Sequence, residues 1–88
     1  MKTTIEELNA ALLMAEDENE QCYSKWADDH QWVICLREKM TEVGATADMV
    51  RQTRTAEGDE VEAFERWCQA TTMVELLQQQ IKMVEENA

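Results

Sequence analysis

The feature that most constrains this chain is a heptad repeat that runs over residues 5–43. Counting in sevens from Ile5, both seam positions of every heptad are apolar except at Asn19 and Asp29, and neither proline nor glycine interrupts the segment. A repeat of this length is typical of a coiled-coil-type helix, because it lines one stripe of the helix with apolar side chains. At about 1.5 Å per residue, the predicted helix is roughly 58 Å long.

Capping residues predict where this helix begins and ends. Thr4 is a favourable N-cap, and Glu7 three residues later completes a capping box. Gly44 suits the position just after a helix, where a left-handed backbone is common. Thr46 then provides a second N-cap, so residues 44–46 are predicted to form a short turn. A connection this short makes the next helix an antiparallel neighbour of the first.

The second predicted helix, residues 47–86, carries a matching apolar seam. Folding the chain at the turn places Leu12 against Leu77 and Trp26 against Ala63. Agreement in period and register favours a long antiparallel helical hairpin, which is an all-α, coiled-coil-like fold. We expect the 88 residues to form a single all-helical domain.

One glycine complicates the second helix. The chain has two glycines and no proline, which fits an all-helical fold, but Gly58 lies inside the helix. Asp59 and Glu62 resemble a capping box, so the helix either kinks or breaks near Gly58 or continues through it. A single glycine costs only ~1 kcal/mol in a helix, which packing over a long seam can offset. The sequence leaves both alternatives open.

The seam leaves a surplus of apolar side chains. Single exposed apolar residues are normal on a protein surface, but contiguous apolar surface indicates an interface. We therefore expect a homodimer that forms a four-helix bundle, with Trp32 and Phe64 among the partner-binding residues. The apolar residues outside the seam are Leu13, Met14, Tyr23, Trp32, Ile34, Val50, Val61, Phe64, Met73, Leu76 and Met83.

Charge narrows the class of partner. Nineteen acidic residues against eight lysines and arginines give a net charge of −11. This charge repels nucleic-acid phosphates and anionic lipids, so we expect neither direct nucleic-acid binding nor membrane binding.

The start of the chain turns acidic where a signal peptide needs an apolar run, which predicts a cytoplasmic protein. Cys22, Cys35 and Cys68 are predicted to be reduced, with two of them packed as small apolar residues.

Acidic clusters suggest one specific hypothesis. Glu57, Asp59, Glu62 and Glu65 crowd one segment of the second helix. Along a rigid rod, such side chains could present negative charge to a groove that normally receives DNA. The chain would then be a DNA-mimic inhibitor of a nucleic-acid enzyme, of the type that phages and mobile elements encode. The alternative is an ordinary solvated face that keeps the rod soluble.

A second constellation lies near the middle of the predicted hairpin. Asp29, His30, Glu57 and Glu60 come close together there, and carboxylates with an imidazole could bind a divalent cation. Asp29 and Glu60 also face each other on the seam in this register. The alternative, which we favour, is that His30 and Arg37 are charge partners of Glu57 across the helices. We therefore predict no metal and no cofactor.

The sequence predicts a function by exclusion. It contains no nucleophile elbow, no phosphate-binding glycine loop and no cysteine with a supporting histidine, so we do not expect an enzyme. We expect an acidic helical protein-interaction module that acts as a small regulator, inhibitor or adaptor. The alternatives are the DNA mimic and, from another class, a metal-dependent enzyme or metal-binding protein.

Overall fold

The structure is a computed structural model that describes residues 4–87. These residues form two helices, α1 (Ile5–Val43) and α2 (Ala47–Glu86), that pack side by side as an antiparallel hairpin. The rod measures 64 × 18 × 16 Å, and residues 4–87 contain no strand. The predicted all-α antiparallel hairpin is therefore confirmed.

The capping residues explain these boundaries. The hydroxyl of Thr4 accepts a hydrogen bond from the backbone N–H of Glu7 at 3.2 Å, and Thr46 accepts one from Met49 at the same distance. Gly44 ends α1 with φ of +86°, a left-handed conformation that disfavours residues with a Cβ atom. Gly44 and the N-cap Thr46 thus complete the chain reversal within three residues, 44–46.

Helix α2 continues through Gly58, so the structure contains the continuous helix and not the alternative with a break at this position. Ala56 and Ala63, on either side of Gly58 in sequence, are both buried against α1. Packing on both sides of the glycine offsets its conformational cost of about 1 kcal/mol. The capping-box pattern of Asp59 and Glu62 is therefore not used as a helix start.

The core is a narrow seam between the two helices. Val33 is the most deeply buried side chain, and it contacts Leu36 and Ala56 in one apolar cluster near the turn. Thr53 is also buried, and its hydroxyl donates to the backbone carbonyl of Met49 at 2.8 Å. The remaining buried residues follow the predicted seam: Leu8, Ala15 and Ala63.

The narrow seam leaves most of the surplus apolar side chains in solvent, as predicted. Ile34 and Val50 are half-buried, and the other nine are exposed. Even the seam opens near the ends of the helices, where Val43 and Val84 are exposed. The four-helix dimer stays a prediction, because the structure contains one chain. Neither helix, over the residues described, is long and apolar enough to cross a membrane.

Candidate protein-binding surface

Four aromatic rings form a contiguous surface across both helices at mid-length. We call Tyr23, Trp26, Phe64 and Trp67 the aromatic face. The Trp26 and Trp67 rings stack with centroids 5.4 Å apart, and the Tyr23 ring meets the edge of Trp67 at 5.0 Å. Phe64 lies 5.9 Å from Trp67 and 6.3 Å from Trp26. Such aromatic pairs contribute about 0.5–1.5 kcal/mol each beyond their buried area.

Helical spacing explains how the sequence produces this surface. Tyr23 and Trp26 are three residues apart on α1, and Phe64 and Trp67 are three apart on α2. Residues at this spacing lie on the same side of a helix, and the antiparallel register brings the two pairs to the same height. The heptad assignment did not predict the stack between Trp26 and Trp67.

A polar contact fixes the aromatic face on the side of the chain ends. The Trp67 indole N–H donates to Asn19 Oδ1 at 3.2 Å, and Asn19 Nδ2 donates to the Thr71 hydroxyl at 3.0 Å. The Thr71 hydroxyl in turn donates to the Trp67 carbonyl at 2.9 Å. Asn19 is a polar residue at a seam position that is apolar in most heptads of α1, and it is half-buried there. Its side chain links the two helices through these hydrogen bonds.

A second contact fixes the aromatic face on the side of the turn. The His30 ring stacks on Trp26 with centroids 5.0 Å apart and planes within 13°. His30 Nδ1 also lies 2.8 Å from Glu60 Oε1 on the other helix. The predicted charge partner of His30 was Glu57, so the structure corrects this pairing by one helical turn. Arg37 does pair with Glu57, at 3.0 Å, as predicted.

The aromatic face combines fixed rings with solvent exposure. Trp26 and Trp67 are half-buried, whereas Tyr23 is 49% and Phe64 46% exposed. The two tryptophans therefore form a floor on which the two exposed rings rest. Large aromatic side chains held in this way are typical of binding hot spots.

Trp32 lies on a different side of the hairpin from Phe64. Trp32 follows His30 by two residues, and His30 stacks on Trp26 of the aromatic face. This spacing places the Trp32 side chain about 200° from the His30 side chain around α1. The Trp32 side chain is 56% exposed and borders a shallow groove. We call the side of the hairpin that carries Trp32 and this groove the opposite face. The groove is lined by Trp32, Arg51, Gln52, Thr55, Ala56 and Asp59. The two apolar residues predicted to bind a partner therefore belong to separate surfaces.

An ion pair also belongs to the opposite face. Lys25 Nζ donates to both carboxylate oxygens of Asp29, at 2.8 and 2.9 Å. This hydrogen bond with Asp29 raises the pKa of the exposed Lys25 amine above its ordinary value. Asp29 and Glu60, predicted to face each other on the seam, thus each have a different nitrogen partner.

The four acidic residues predicted to bind a partner do not share one surface. Glu57 is paired with Arg37, whereas Asp59 borders the groove of the opposite face about 200° away around α2. Glu62 and Glu65 are exposed. Glu57 and Asp59 therefore lie on different sides of α2. Their role as binding residues stays a prediction.

The candidate metal ligands are divided among two ion pairs and one hydrogen-bond contact. Asp29 binds Lys25, Glu57 binds Arg37, and His30 contacts Glu60. Over residues 4–87, no three side chains of histidine, cysteine, aspartate or glutamate are placed to hold a metal ion. The arrangement therefore gives the metal-binding alternative no support.

The cysteines differ from their prediction. Cys22 is half-buried, but Cys35 and Cys68 are both exposed, so only one of the three is packed in the hairpin. The reason is the narrow seam, which takes side chains from one stripe of each helix. Cys68 lies beside Phe64 and Trp67 in a shallow groove at the edge of the aromatic face.

Sequence reasoning identified Phe64 but not the other members of the aromatic face. The predicted register placed Trp26 in the seam against Ala63, and Tyr23 was counted only among the surplus apolar residues. One feature of the sequence does predict the aromatic face. Each helix carries two aromatic residues three positions apart, and the antiparallel register brings the two pairs together.

Comparisons with models of protein families, with curated proteins and with solved structures give no match for this chain. The aromatic face therefore has to be interpreted from its own geometry.

Proposed function

We propose that this chain is a non-enzymatic protein-interaction module that binds protein through its aromatic face and acts as a small regulator, inhibitor or adaptor. The observation that supports the proposal most is the pair of exposed rings, Tyr23 and Phe64, resting on the stacked Trp26 and Trp67. Tryptophan and tyrosine dominate binding energy at protein interfaces, and rings that are already held in place lose little conformational freedom on binding.

The shape of the chain supports binding rather than catalysis. The grooves lined by the described residues, such as those beside Trp32 and beside Phe64, are open to solvent. An enclosed pocket with convergent polar groups is the usual sign of a small-molecule site. A rod with a rigid aromatic surface instead fits a groove or a helix on another protein.

The DNA-mimic alternative has weaker support. A net charge of −11 over a rod of 64 Å gives about one charge per 6 Å. Double-stranded DNA carries one charge per ~1.7 Å, which is more than three times as dense. The Arg37 side chain also pairs with Glu57, inside the acidic cluster that would have to imitate phosphates. We therefore propose that apolar contact, and not acidic charge, determines partner binding.

A capture experiment with matched variants tests this proposal. The tagged chain is incubated with lysate of its own cells, and bound proteins, including untagged copies of the chain, are identified by mass spectrometry. We expect the Tyr23→Ala/Phe64→Ala double variant to lose the captured protein and Trp32→Ala to keep it. Circular dichroism checks that both variants remain helical. Capture that survives the double variant would contradict the proposal.

A charge-reversal variant separates the two candidate functions. Replacing Glu57, Asp59, Glu62 and Glu65 with lysine should leave capture intact if the aromatic face carries binding. If the chain mimics DNA, the same variant should lose its partner, and binding by the wild type should weaken steeply as salt is added.

A further inference from the structure

We infer that the protein bound by the aromatic face is a second copy of this chain, with the two hairpins antiparallel. The turn end of each rod then lies beside the open end of the other, where the helices begin and end at Ile5 and Glu86. This inference rests on the proposed function, because it names the partner of the aromatic face.

The exposed area of the single hairpin has the size that a second copy would cover. The chain exposes 6902 Å² at a mass of 10.2 kDa. A compact monomer of that mass exposes about 5300 Å². The rod therefore exposes about 1600 Å² more than a compact monomer of its mass, and a symmetric pair that covered this excess would bury about 3200 Å², which lies within the range of obligate homodimers.

The position of the aromatic face also suits self-association. Ser24 is the central residue of α1, and the centre of α2 lies between Arg66 and Trp67. The aromatic face is therefore centred on the rod. When a two-fold axis crosses two rods at mid-length, a central surface meets its own copy over its full extent. A surface near one end would leave half of each rod uncovered in an antiparallel pair.

Charge distribution selects the antiparallel arrangement. Six of the eight lysines and arginines lie in the half of the hairpin nearer the turn: Lys25, Arg37, Lys39, Arg51, Arg54 and Arg66. The open half carries nine acidic residues and, within residues 4–87, Lys82 as its one cationic side chain: Glu6, Glu7, Glu16, Asp17, Glu18, Glu20, Glu75, Glu85 and Glu86. The half nearer the turn also carries ten acidic residues, so its net charge is −4, against −8 for the open half within residues 4–87. An antiparallel pair therefore places the less negative half of each copy beside the more negative half of the other, whereas a parallel pair brings the two most negative ends together.

Two lysines report this arrangement in the unmodified protein. Lys39 lies fifteen residues beyond Ser24 toward the turn, and Lys82 lies fifteen beyond Trp67 toward the open end. Within one hairpin these lysines are about 45 Å apart along the rod, too far for a short amine cross-linker. In an antiparallel pair centred on the aromatic face, Lys39 of one copy and Lys82 of its partner lie at the same height.

The test combines mass with cross-linking. Light scattering after size-exclusion chromatography should give twice the chain mass at micromolar concentration. Equal amounts of ¹⁴N and ¹⁵N protein are then mixed, unfolded and refolded together, and treated with the cross-linker. We expect mixed-isotope peptides that join Lys39 to Lys82.

Each other outcome contradicts the inference. A monomer mass at every concentration would exclude the second copy. Mixed-isotope links between Lys39 and Lys39, without links to Lys82, would show a parallel pair. A monomer that still captures another protein through Tyr23 and Phe64 would overturn this inference and leave the proposed function standing.

Discussion

The two faces of the hairpin use the same pair of helices differently. On the aromatic face, four rings contact one another, and the contacts of Asn19 and His30 hold them from either side. On the opposite face, Trp32 is exposed and, among residues 4–87, makes no contact with another ring. An immobilised ring loses less conformational entropy when it binds. The comparison shows that exposure alone does not mark a binding surface.

The largest expected difference between the faces concerns stability. Trp67→Ala should lower the free energy of unfolding by about 3 kcal/mol, because it removes a half-buried ring, its stack on Trp26 and its bond to Asn19. Trp32→Ala should cost less than about 1 kcal/mol, because its side chain is exposed. Denaturant titration at one fixed protein concentration measures both. Equal costs would show that the aromatic face is not preorganised.

The polar contact of Asn19 should contribute the next largest effect. Asn19→Ala leaves the Trp67 indole N–H and the Thr71 hydroxyl without their partner, which should cost about 1–2 kcal/mol. Asn9 is an exposed asparagine on the same helix, so Asn9→Ala is the matched control and should stay within about 0.5 kcal/mol of wild type. Both variants are followed by the same titration. An Asn19→Ala variant as stable as the control would mean that the contact does not hold the face.

Substitutions at the two glycines should change the stability of the hairpin in opposite directions. A Cβ atom at Gly58 meets nothing within 4 Å, so Gly58→Ala should stabilise the helix by about 0.5–1 kcal/mol. Gly44→Ala should have the opposite sign, by about 1 kcal/mol, because φ at this residue is +86°. Thermal unfolding gives both shifts. A loss of stability in Gly58→Ala would show that α2 is distorted there.

The smallest effect belongs to the ion pair of the opposite face. Because the hydrogen bond with Asp29 raises the pKa of Lys25, this pair stabilises the fold below the unfolded pKa of about 10.4 and loses that effect as pH rises through the folded pKa. Wild type should therefore lose slightly more stability than Lys25→Met between neutral and strongly alkaline pH. Solvent screening keeps the difference small. The melting temperatures of wild type and Lys25→Met are measured as a function of pH. Identical changes with pH in the two proteins would contradict this prediction.

Most of the fold was predictable because it depends on local signals. Thr4 and Thr46 cap their helices through side-chain oxygens, and Gly44 supplies the one positive φ among residues 4–87. The heptad repeat predicted the antiparallel hairpin. The continuity of α2 at Gly58 was not predictable, since it depends on the balance between a local cost and packing over the whole seam.

The aromatic face was less predictable, because it depends on where side chains point. Heptad positions identify which residues lie near the seam, but Trp26 and Trp67 are too large to be enclosed by two helices. Their rings stack on each other beside the seam. Similarly, the partner of His30 differs from the predicted one by a single helical turn. Sequence spacing alone does not resolve such a choice among several nearby carboxylates.

The central claim, that the aromatic face is the binding surface, is tested most directly by the dissociation constant of self-association in two matched variants. Sedimentation equilibrium of Phe64→Ala should show a dissociation constant raised at least about tenfold, since each pair loses two anchoring rings. Trp32→Ala should change it by less than about threefold, which is under 1 kcal/mol. Equal changes in the two variants, or a larger change for Trp32→Ala, would contradict the account.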